Sequence, residues 1–337
     1  MGAPTTHDTI AIAGAGSIGC YVGGMLADAG RHVSLLARPR VIGEIEATGL
    51  RLTSVDGLDR VVAAAGLRMS DDPALLADAG TVLVTVKSAD TPAVADQIAR
   101  HARPDATVIS LQNGVGNADV LRARLPGRRV LAAMVPFNVL SLGEGRFHRA
   151  TSGDIVVERD TADTAAGLST PGLPFVPSDD ITGVQWGKLI VNLNNALNAL
   201  SGLPLRRQLS QRAWRRLFAD QMAEAIAAMR AAGIRPVSAT PLPVWLTPHL
   251  LRLPDGLFDA LLGRTMKIDA EARSSMWEDL QRGRRTEIDY LQGVIVDLAR
   301  RHGRGAPLSA AVLALVKQAE AAGNGSPGLT PDQIVAG

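Results

Sequence analysis

The sequence predicts an α/β amino-terminal domain with a doubly wound, mostly parallel sheet, followed by an all-α carboxy-terminal domain. Three observations predict this fold class. Strand-like and helical stretches alternate through the first half, a glycine-rich turn joins the first strand to the first helix, and the second half is helical almost to its end. The densest cluster of Gly and Pro, at 170–177, marks the boundary. The predicted domains are therefore residues 1–178 and 179–337.

The elements of the first domain follow in chain order. A strand at 9–13, a glycine turn at 14–19, a helix at 20–29 and a strand at 31–37 make one βαβ unit. Further strands are predicted at 82–86, 107–111 and 130–135, with helices at 73–79 and 91–101. Two edge hairpins are predicted, one from 50–54 through Asp56-Gly57, the other from 146–150 through Gly153 to 155–157.

The second domain contains four predicted helices, at 185–200, 210–232, 269–281 and 287–302. Thr286 stands where it can cap the last of these, with Asp289 as the reciprocal carboxylate of a capping box.

Composition limits the class of protein. The chain has 337 residues, of which 46% are hydrophobic, 20% charged and 3% aromatic, with a single cysteine. These values exclude a disordered chain and a disulfide scaffold, and no metal site is expected. A net charge of +2 with few aromatic residues argues against nucleic acid, and no apolar run is long enough to span a membrane. We expect a soluble, cytoplasmic protein that binds a small molecule; its oligomeric state stays open, and a homodimer is compatible with the sequence.

The glycine turn predicts a dinucleotide site. It reads Gly14-Ala15-Gly16-Ser17-Ile18-Gly19, between a strand and a helix. In such a turn the first glycine permits the tight bend, the second lets the backbone approach a pyrophosphate, and the third allows close helix–strand packing. Arg38 follows the second strand, where NAD-preferring sites carry an acidic residue, so NADP(H) is favoured. Lys87, at the carboxyl end of a later strand, is either a second phosphate ligand or an ordinary loop charge.

Lysine is rare in this chain, with four lysines against 31 arginines. A desolvated lysine can give up its proton, whereas arginine cannot. Lys188 heads a helical stripe with Asn192 and Asn195, a pattern that favours a ligand site, although a buried structural network of asparagines remains the alternative. Lys267 and Lys317 have no such context, and chance accounts for both.

Three other positions are candidates. Asn113, in Gln112-Asn113-Gly114 at the predicted sheet edge, can hydrogen-bond a nicotinamide or substrate, or can belong to a plain turn. Ser275 lies in the motif Ser274-Ser275-Met276. Glu287 can be functional, or can simply be favoured by the dipole of the helix that it begins.

These motifs are followed by one more, Thr286-Glu287-Ile288-Asp289-Tyr290. With the motifs in this order, the chain resembles the ketopantoate reductases from about residue 9 to 317. The resemblance implies a Rossmann domain and a helical domain, with NADPH and substrate in the cleft between them. It implies reduction of 2-dehydropantoate to (R)-pantoate, for pantothenate and coenzyme A biosynthesis. Alternatives are a family member that reduces another 2-oxo acid, and a non-catalytic NADP-sensing module.

The resemblance also implies roles for single residues. Lys188 matches the general acid and Asn113 the asparagine beside the nicotinamide. Asn192 and Ser275 match substrate contacts, and Glu287 matches the group that reaches the substrate hydroxyl or the nicotinamide ribose. Many members carry a further asparagine where this chain has Ala196, and Asn195 is the candidate to replace it.

Overall fold

The computed structural model describes residues 9–238, 242–263 and 271–336. Lys267 and the start of the predicted helix 269–281 lie outside the described residues. The chain divides into two compact units, Met1–Ile181 and Thr182–Gly337. The first unit is α/β and the second is helical, which confirms the predicted fold class.

The strands of the described chain all lie in the first unit. They are β1 (Thr9–Ala13), β2 (His32–Leu36), β3 (Leu50–Ser54), β4 (Asp59–Val62), β5 (Arg68–Ser70), β6 (Thr81–Val84), β7 (Thr107–Ser110), β8 (Val130–Met134), β9 (Val139–Gly143), β10 (Arg146–Arg149), β11 (Ile155–Glu158) and β12 (Phe175–Ser178). Eight of them form one sheet in the order β12-β11-β8-β7-β6-β1-β2-β5. Its strands from β5 to β8 run parallel, and β11 pairs antiparallel with β8. The strand order reverses between β1 and β6, which is where ligands of doubly wound sheets bind.

The other four strands form a second sheet, in the order β4-β3-β10-β9. The predicted hairpin of β3 and β4 is present here, rather than on the edge of the main sheet. The second predicted hairpin is wrong, because β10 pairs with β3 and β9 while β11 joins the main sheet. The hairpin partner of β10 is β9, across a turn in which Glu144 and Gly145 have φ angles of 51° and 67°.

Five α-helices of the first unit accompany the sheets. They are α1 (Ser17–Asp28), α2 (Pro39–Thr48), α3 (Thr91–His101), α4 (Asn117–Arg124) and α5 (Thr164–Leu168). The stretch predicted as a helix at 73–79 is a 3₁₀ helix over Pro73–Asp78. One face of α1 packs on the main sheet, and Cys20 within it is completely buried. Burial raises the pKa of the Cys20 thiol to about 12.

The helices of the second unit begin at the junction of the units. They are α6 (Ile181–Asn192), α7 (Asn194–Ser201), α8 (Leu205–Ser210), α9 (Arg212–Ala231), α10 (Thr247–Leu251), α11 (Asp255–Phe258), α12 (Ser275–Gln281), α13 (Gln292–Arg301), α14 (Pro307–Ala322) and α15 (Pro331–Ala336). No helix in the described ranges is long and apolar enough to cross a membrane.

Three helices predicted in the second unit differ from the structure. Of the helix predicted at 269–281, the described residues 271–274 are not helical, and α12 begins only at Ser275. The helix predicted at 185–200 is interrupted at Leu193, whose carbonyl accepts a hydrogen bond from the side chain of the buried Gln292 at 2.9 Å. The helix predicted from 287 begins only at Gln292, after a 3₁₀ turn over Ile288–Tyr290.

The predicted capping box is also wrong. The Thr286 hydroxyl accepts from the Ile288 amide at 3.2 Å, but the Thr286 amide donates to Glu320 at 2.6 Å. Asp289 pairs instead with Lys317, 2.7 Å from Nζ to Oδ2. Both partners of that pair are about half exposed, and such surface pairs contribute little to stability.

Candidate active site

The glycine turn leaves the start of α1 open to an anion. The Leu36 carbonyl accepts from the amides of Gly14 and Ala15 at 3.2 and 2.8 Å, and the Gly16 amide donates to Gly14 at 2.7 Å. The first amides of a helix, here from Ser17 onward, have no acceptor within the helix. In the described structure no side chain caps α1, and its first turn holds no acidic residue. This arrangement suits a phosphate group.

The three motif glycines are required for different reasons. A Cβ at Gly14 would lie 2.2 Å from the Val86 side chain, and φ there is 92°. A Cβ at Gly19 would lie 2.5 Å from the Thr85 hydroxyl. At Gly16 a Cβ would meet nothing nearer than a carbonyl at 3.9 Å. Space in front of Gly16 is therefore kept clear of protein atoms, as a bound pyrophosphate would require, so the residues present fit a dinucleotide.

Arg38 and Lys87 follow the carboxyl ends of β2 and β6, and both are exposed. Arg38 is the residue immediately before α2. Arg40, two residues on, forms an ion pair with Glu44. Arg38 is therefore the better placed of the two arginines to meet a 2′-phosphate.

A buried polar network holds the loop that carries Asn113. The Asn113 carbonyl accepts from the side chains of Asn117 and Ser88 at 2.8 and 3.1 Å. Asn117 also bonds the Thr91 hydroxyl at 3.0 Å, and Thr91 accepts from Gln112 at 2.7 Å. The side chains of this network are almost fully buried. They fix the Asn113 backbone at the edge where β6 and β7 end.

Lys188 lies on α6 in the second unit, partly buried. Burial lowers the pKa of its ammonium from the ordinary value to about 8, and the Glu287 carboxylate acts in the opposite direction. The preceding residue, Gly187, has no room for a side chain, because a Cβ would lie 1.7 Å from the Val237 carbonyl oxygen. The segment at Val237 also donates its amide to the Gly183 carbonyl at 2.8 Å. The backbone on which Lys188 stands is thereby held in place.

The four asparagines of α6 and α7 divide into two pairs. Asn192 and Asn195 are partly exposed, as Lys188 is. Asn194 and Asn198 are buried, and both bond the side chain of the buried Gln208, at 3.3 and 3.1 Å. The buried pair is therefore a structural network, while the partly exposed pair retains the side chains available to a ligand. Ala196 is completely buried.

The serines of the motif at 274–276 have different environments. Ser274 caps α12, because its hydroxyl accepts from the Trp277 amide at 3.2 Å, and it donates to the Asn195 carbonyl at 2.9 Å. Ser275 is the exposed first residue of α12. Glu287 precedes the 3₁₀ turn and is partly buried, within electrostatic range of Lys188.

Sequence reasoning did not single out Asn117, Thr91, Gln208 or Gly187. The first three are polar residues whose partners are distant in sequence, and only the fold brings them together. Gly187 carried a signal, since a glycine inside a predicted helix is unfavourable unless close packing requires it.

Comparisons with known proteins agree with these features. A family model described as ketopantoate reductase PanE/ApbA matches residues 10–160, and the model of the C-terminal part of that family matches 180–320. The chain is 28% identical to the 2-dehydropantoate 2-reductase of Halobacterium salinarum, over 92% of this chain and 98% of that one. It is 29% identical to the enzyme of the same name from Pyrococcus horikoshii, over 94% and 99%.

Solved structures agree as well. A PanE/ApbA family ketopantoate reductase from Ralstonia eutropha JMP134 has a TM-score of 0.80 and 36% identity, over 94% of this chain and 99% of that one. A D-mandelate dehydrogenase solved with NADH and anilino(oxo)acetate has a TM-score of 0.76 at 21% identity, over 94% and 99%. At that identity the second likeness concerns the fold alone.

Proposed function

The chain belongs to the ketopantoate reductase PanE/ApbA family, and we propose that it reduces 2-dehydropantoate to (R)-pantoate with NADPH. Its membership makes it an NAD(P)-dependent oxidoreductase of the 2-dehydropantoate 2-reductase type. The choice of NADPH, the proton donor and the supply of pantoate for coenzyme A are parts of the proposal. The observation that carries it is Lys188, a partly buried lysine with a pKa lowered to about 8 beside Glu287.

The cofactor would be held by residues of the first unit. The amides at the start of α1, after the turn Gly14–Gly19, would bind the pyrophosphate, Arg38 would bind the 2′-phosphate, and Lys87 is a second candidate ligand for phosphate. Asn113 would hydrogen-bond the nicotinamide or the substrate beside it. When bound, the nicotinamide supplies the hydride that reaches the 2-oxo carbon.

The proton would come from the second unit. As the carbonyl oxygen gains negative charge, the Lys188 ammonium donates a proton to it and becomes a neutral amine. A pKa near 8 suits this role, since the amine is mostly protonated at neutral pH and yet gives up its proton more readily than an ordinary lysine. Asn192 and Asn195 hydrogen-bond the substrate, Ser275 contacts its carboxylate, and Glu287 reaches its hydroxyl or the ribose.

The test is a panel of 2-oxo acids, each assayed with NADPH and with NADH by absorbance at the nicotinamide band. We expect the highest kcat/KM with 2-dehydropantoate and NADPH. Lys188→Ala should lower turnover at least ~100-fold, with the Kd for NADPH nearly unchanged. Activity that survives this substitution would remove Lys188 from the mechanism.

A second candidate function is reduction of a different 2-oxo acid. It is favoured by the buried Ala196, which stands where many family members carry an asparagine. Activity on another acid but not on 2-dehydropantoate would select this function, and tight NADPH binding without turnover of any acid would indicate a sensing module.

A homodimer in the cytoplasm completes the proposal. A dimeric ketopantoate reductase from Staphylococcus aureus shares the fold, with a TM-score of 0.68 at 17% identity. Light scattering of the purified protein tests the dimer.

A further inference from the structure

Arg273 has a donor nitrogen without a partner. Its guanidinium lies over the Trp277 ring, 4.6 Å from the ring centre. The Nη1 atom is buried and has no hydrogen-bond partner among the residues that the structure describes. A buried donor left in this state is unfavourable, and more so when the group is charged, so it calls for an explanation.

Arg215 shows how this chain satisfies a buried guanidinium when the role is structural. It is completely buried and lies 4.1 Å from the Phe258 ring centre. Its nitrogens donate to four backbone carbonyls, and Asp255 adds a carboxylate at 2.7 Å. Arg273 has the same stacking on an aromatic ring, but its Nη1 lacks such an acceptor. Arg149, also buried and stacked on aromatic rings, has an unpartnered Nε, but its other nitrogens donate to the Gly172 carbonyl and to the Asp56 carboxylate. Arg273 has no such carboxylate among the described residues, which leaves a place for an acceptor from a ligand.

The position of Arg273 connects it to the candidate substrate residues. The next residue, Ser274, donates its hydroxyl to the Asn195 carbonyl at 2.9 Å and its amide to the Asn198 side chain at 2.8 Å. These two bonds fix the segment at 273–275 against α7. Arg273 therefore stands beside Asn195, one of the partly exposed asparagines, and next but one to Ser275.

The chemistry of a 2-oxo acid supplies the missing acceptor. The substrate carries a carboxylate beside the carbonyl that is reduced, and Lys188 serves the carbonyl oxygen. A guanidinium stays protonated at any working pH, so it can neutralise the carboxylate without competing as a proton donor. It also binds a carboxylate through two parallel hydrogen bonds, and stacking on Trp277 keeps its plane fixed.

We propose that Arg273 supplies the positive charge that binds the substrate carboxylate, in addition to the hydroxyl contact proposed for Ser275, and that Arg273 thereby selects 2-oxo acids over uncharged ketones. This inference rests on the proposed function and adds a specificity-determining residue that the family motif did not indicate.

The test compares Arg273→Gln with the wild type on two substrates, the 2-oxo acid that the wild type reduces best and its methyl ester. For the acid we expect kcat/KM to fall by about 10- to 100-fold, mainly through KM, because a charge-assisted hydrogen bond is lost. For the ester we expect little change, since it carries no charge to bind. Arg273→Lys keeps the charge but loses the planar guanidinium. Its kcat/KM for the acid should therefore lie between the values of the wild type and of Arg273→Gln.

Arg282→Gln is the matched control. Arg282 follows α12 directly, is exposed, and lies 3.6 Å from Glu278, so its loss should leave both substrates unaffected. Equal losses on acid and ester in Arg273→Gln would show a structural role and overturn the inference, as would no loss on either.

The outcome separates the two proposals. Suppose that the wild type reduces 2-oxo acids, and that the ratio of kcat/KM for the acid to kcat/KM for the ester is the same in Arg273→Gln as in the wild type. Then only the inference about Arg273 fails. If the wild type reduces none, the proposed function fails, and calorimetric titration of the cofactor-loaded protein with 2-oxobutanoate decides the inference. Binding that Arg273→Gln abolishes would support it, and no binding to the wild type would end it.

Discussion

Lys188 makes the protonation state of one amine decisive for the proposed reaction. Its pKa is lowered to about 8, by burial in the first place, and Glu287 opposes this shift. The proposed mechanism uses the protonated form. As the pH rises through about 8 the ammonium is lost, so the rate of reduction should fall there, well below the ordinary pKa of lysine.

The role of Glu287 in this titration gives a sharper prediction. Glu287→Gln removes the negative charge that raises the pKa of Lys188, so the alkaline limb of the kcat/KM profile should move to lower pH. The measurement is kcat/KM from pH 6 to 10 for both proteins. Asp289→Asn is a useful control, because Asp289 pairs with Lys317 and should leave the limb in place. A limb that stays fixed in Glu287→Gln would show that Lys188 is not the titrating group.

In the proposed cofactor site, the preference for NADPH depends on the single guanidinium of Arg38. Arg38→Ala should raise the KM for NADPH by about 10- to 100-fold and change the KM for NADH little, because only NADPH carries the 2′-phosphate. Arg40→Ala provides the comparison, since Arg40 is paired with Glu44 and should matter less. Equal effects on both cofactors would assign Arg38 to the stability of the loop at the start of α2.

At the scale of the element, the turn between β1 and α1 contains one glycine that packing requires, Gly19, and one that the proposed function places against the cofactor, Gly16. Gly19→Ala places a Cβ 2.5 Å from Thr85 and should lower the free energy of unfolding by about 1–3 kcal/mol. Gly16→Ala meets no protein atom within 3.4 Å and should change it by less than about 1 kcal/mol. Yet Gly16→Ala should weaken NADPH binding at least about 10-fold, because the methyl group takes the place of the pyrophosphate.

Urea unfolding and a fluorescence titration with NADPH measure the two effects. A Gly16→Ala protein that binds NADPH normally would contradict the position assigned to the pyrophosphate.

The elements also show what sequence patterns can and cannot predict. The strands and the helix of the first βαβ unit depend on residues that are close in sequence, so glycine positions and apolar runs were sufficient to predict them. Strand pairing is not local. The stretch at 146–150 looked like a hairpin partner of 155–157, but it pairs with β3 and β9, since alternation along a strand does not identify its neighbour. The turn Gly143-Glu144-Gly145 was the signal that would have predicted the β9–β10 hairpin.

For the candidate site, residue types and helical spacing selected Lys188 and grouped it with Asn192 and Asn195, and that grouping stays a prediction. They could not predict the pKa of Lys188, because that depends on burial and on Glu287, which is 99 residues later in the chain. Nor could they predict that Asn117, Thr91 and Gln112 hold the Asn113 loop, since that network joins two strand ends. Arg273 became a candidate only when its unpartnered nitrogen was located.

At the scale of the whole molecule, each of the two units has a buried core of its own. We expect calorimetry to show two unfolding transitions rather than one, because separate cores unfold with separate cooperativity. NADPH at about 100 times its Kd should stabilise the unit that binds it by about 2.7 kcal/mol. The transition that moves should be that of the first unit, and at the same NADPH concentration Gly16→Ala should reduce the shift to about half or less. A single transition would show that the two units unfold as one.

The burial of Cys20 has a practical consequence for chemical labelling. It is the single cysteine of the chain, completely enclosed, and its thiol stays protonated far above neutral pH. Alkylating reagents attack the thiolate, so the native protein should be almost inert to maleimides. A cysteine introduced at any exposed position then becomes a unique attachment point for a dye or spin label, and Cys20 need not be replaced first.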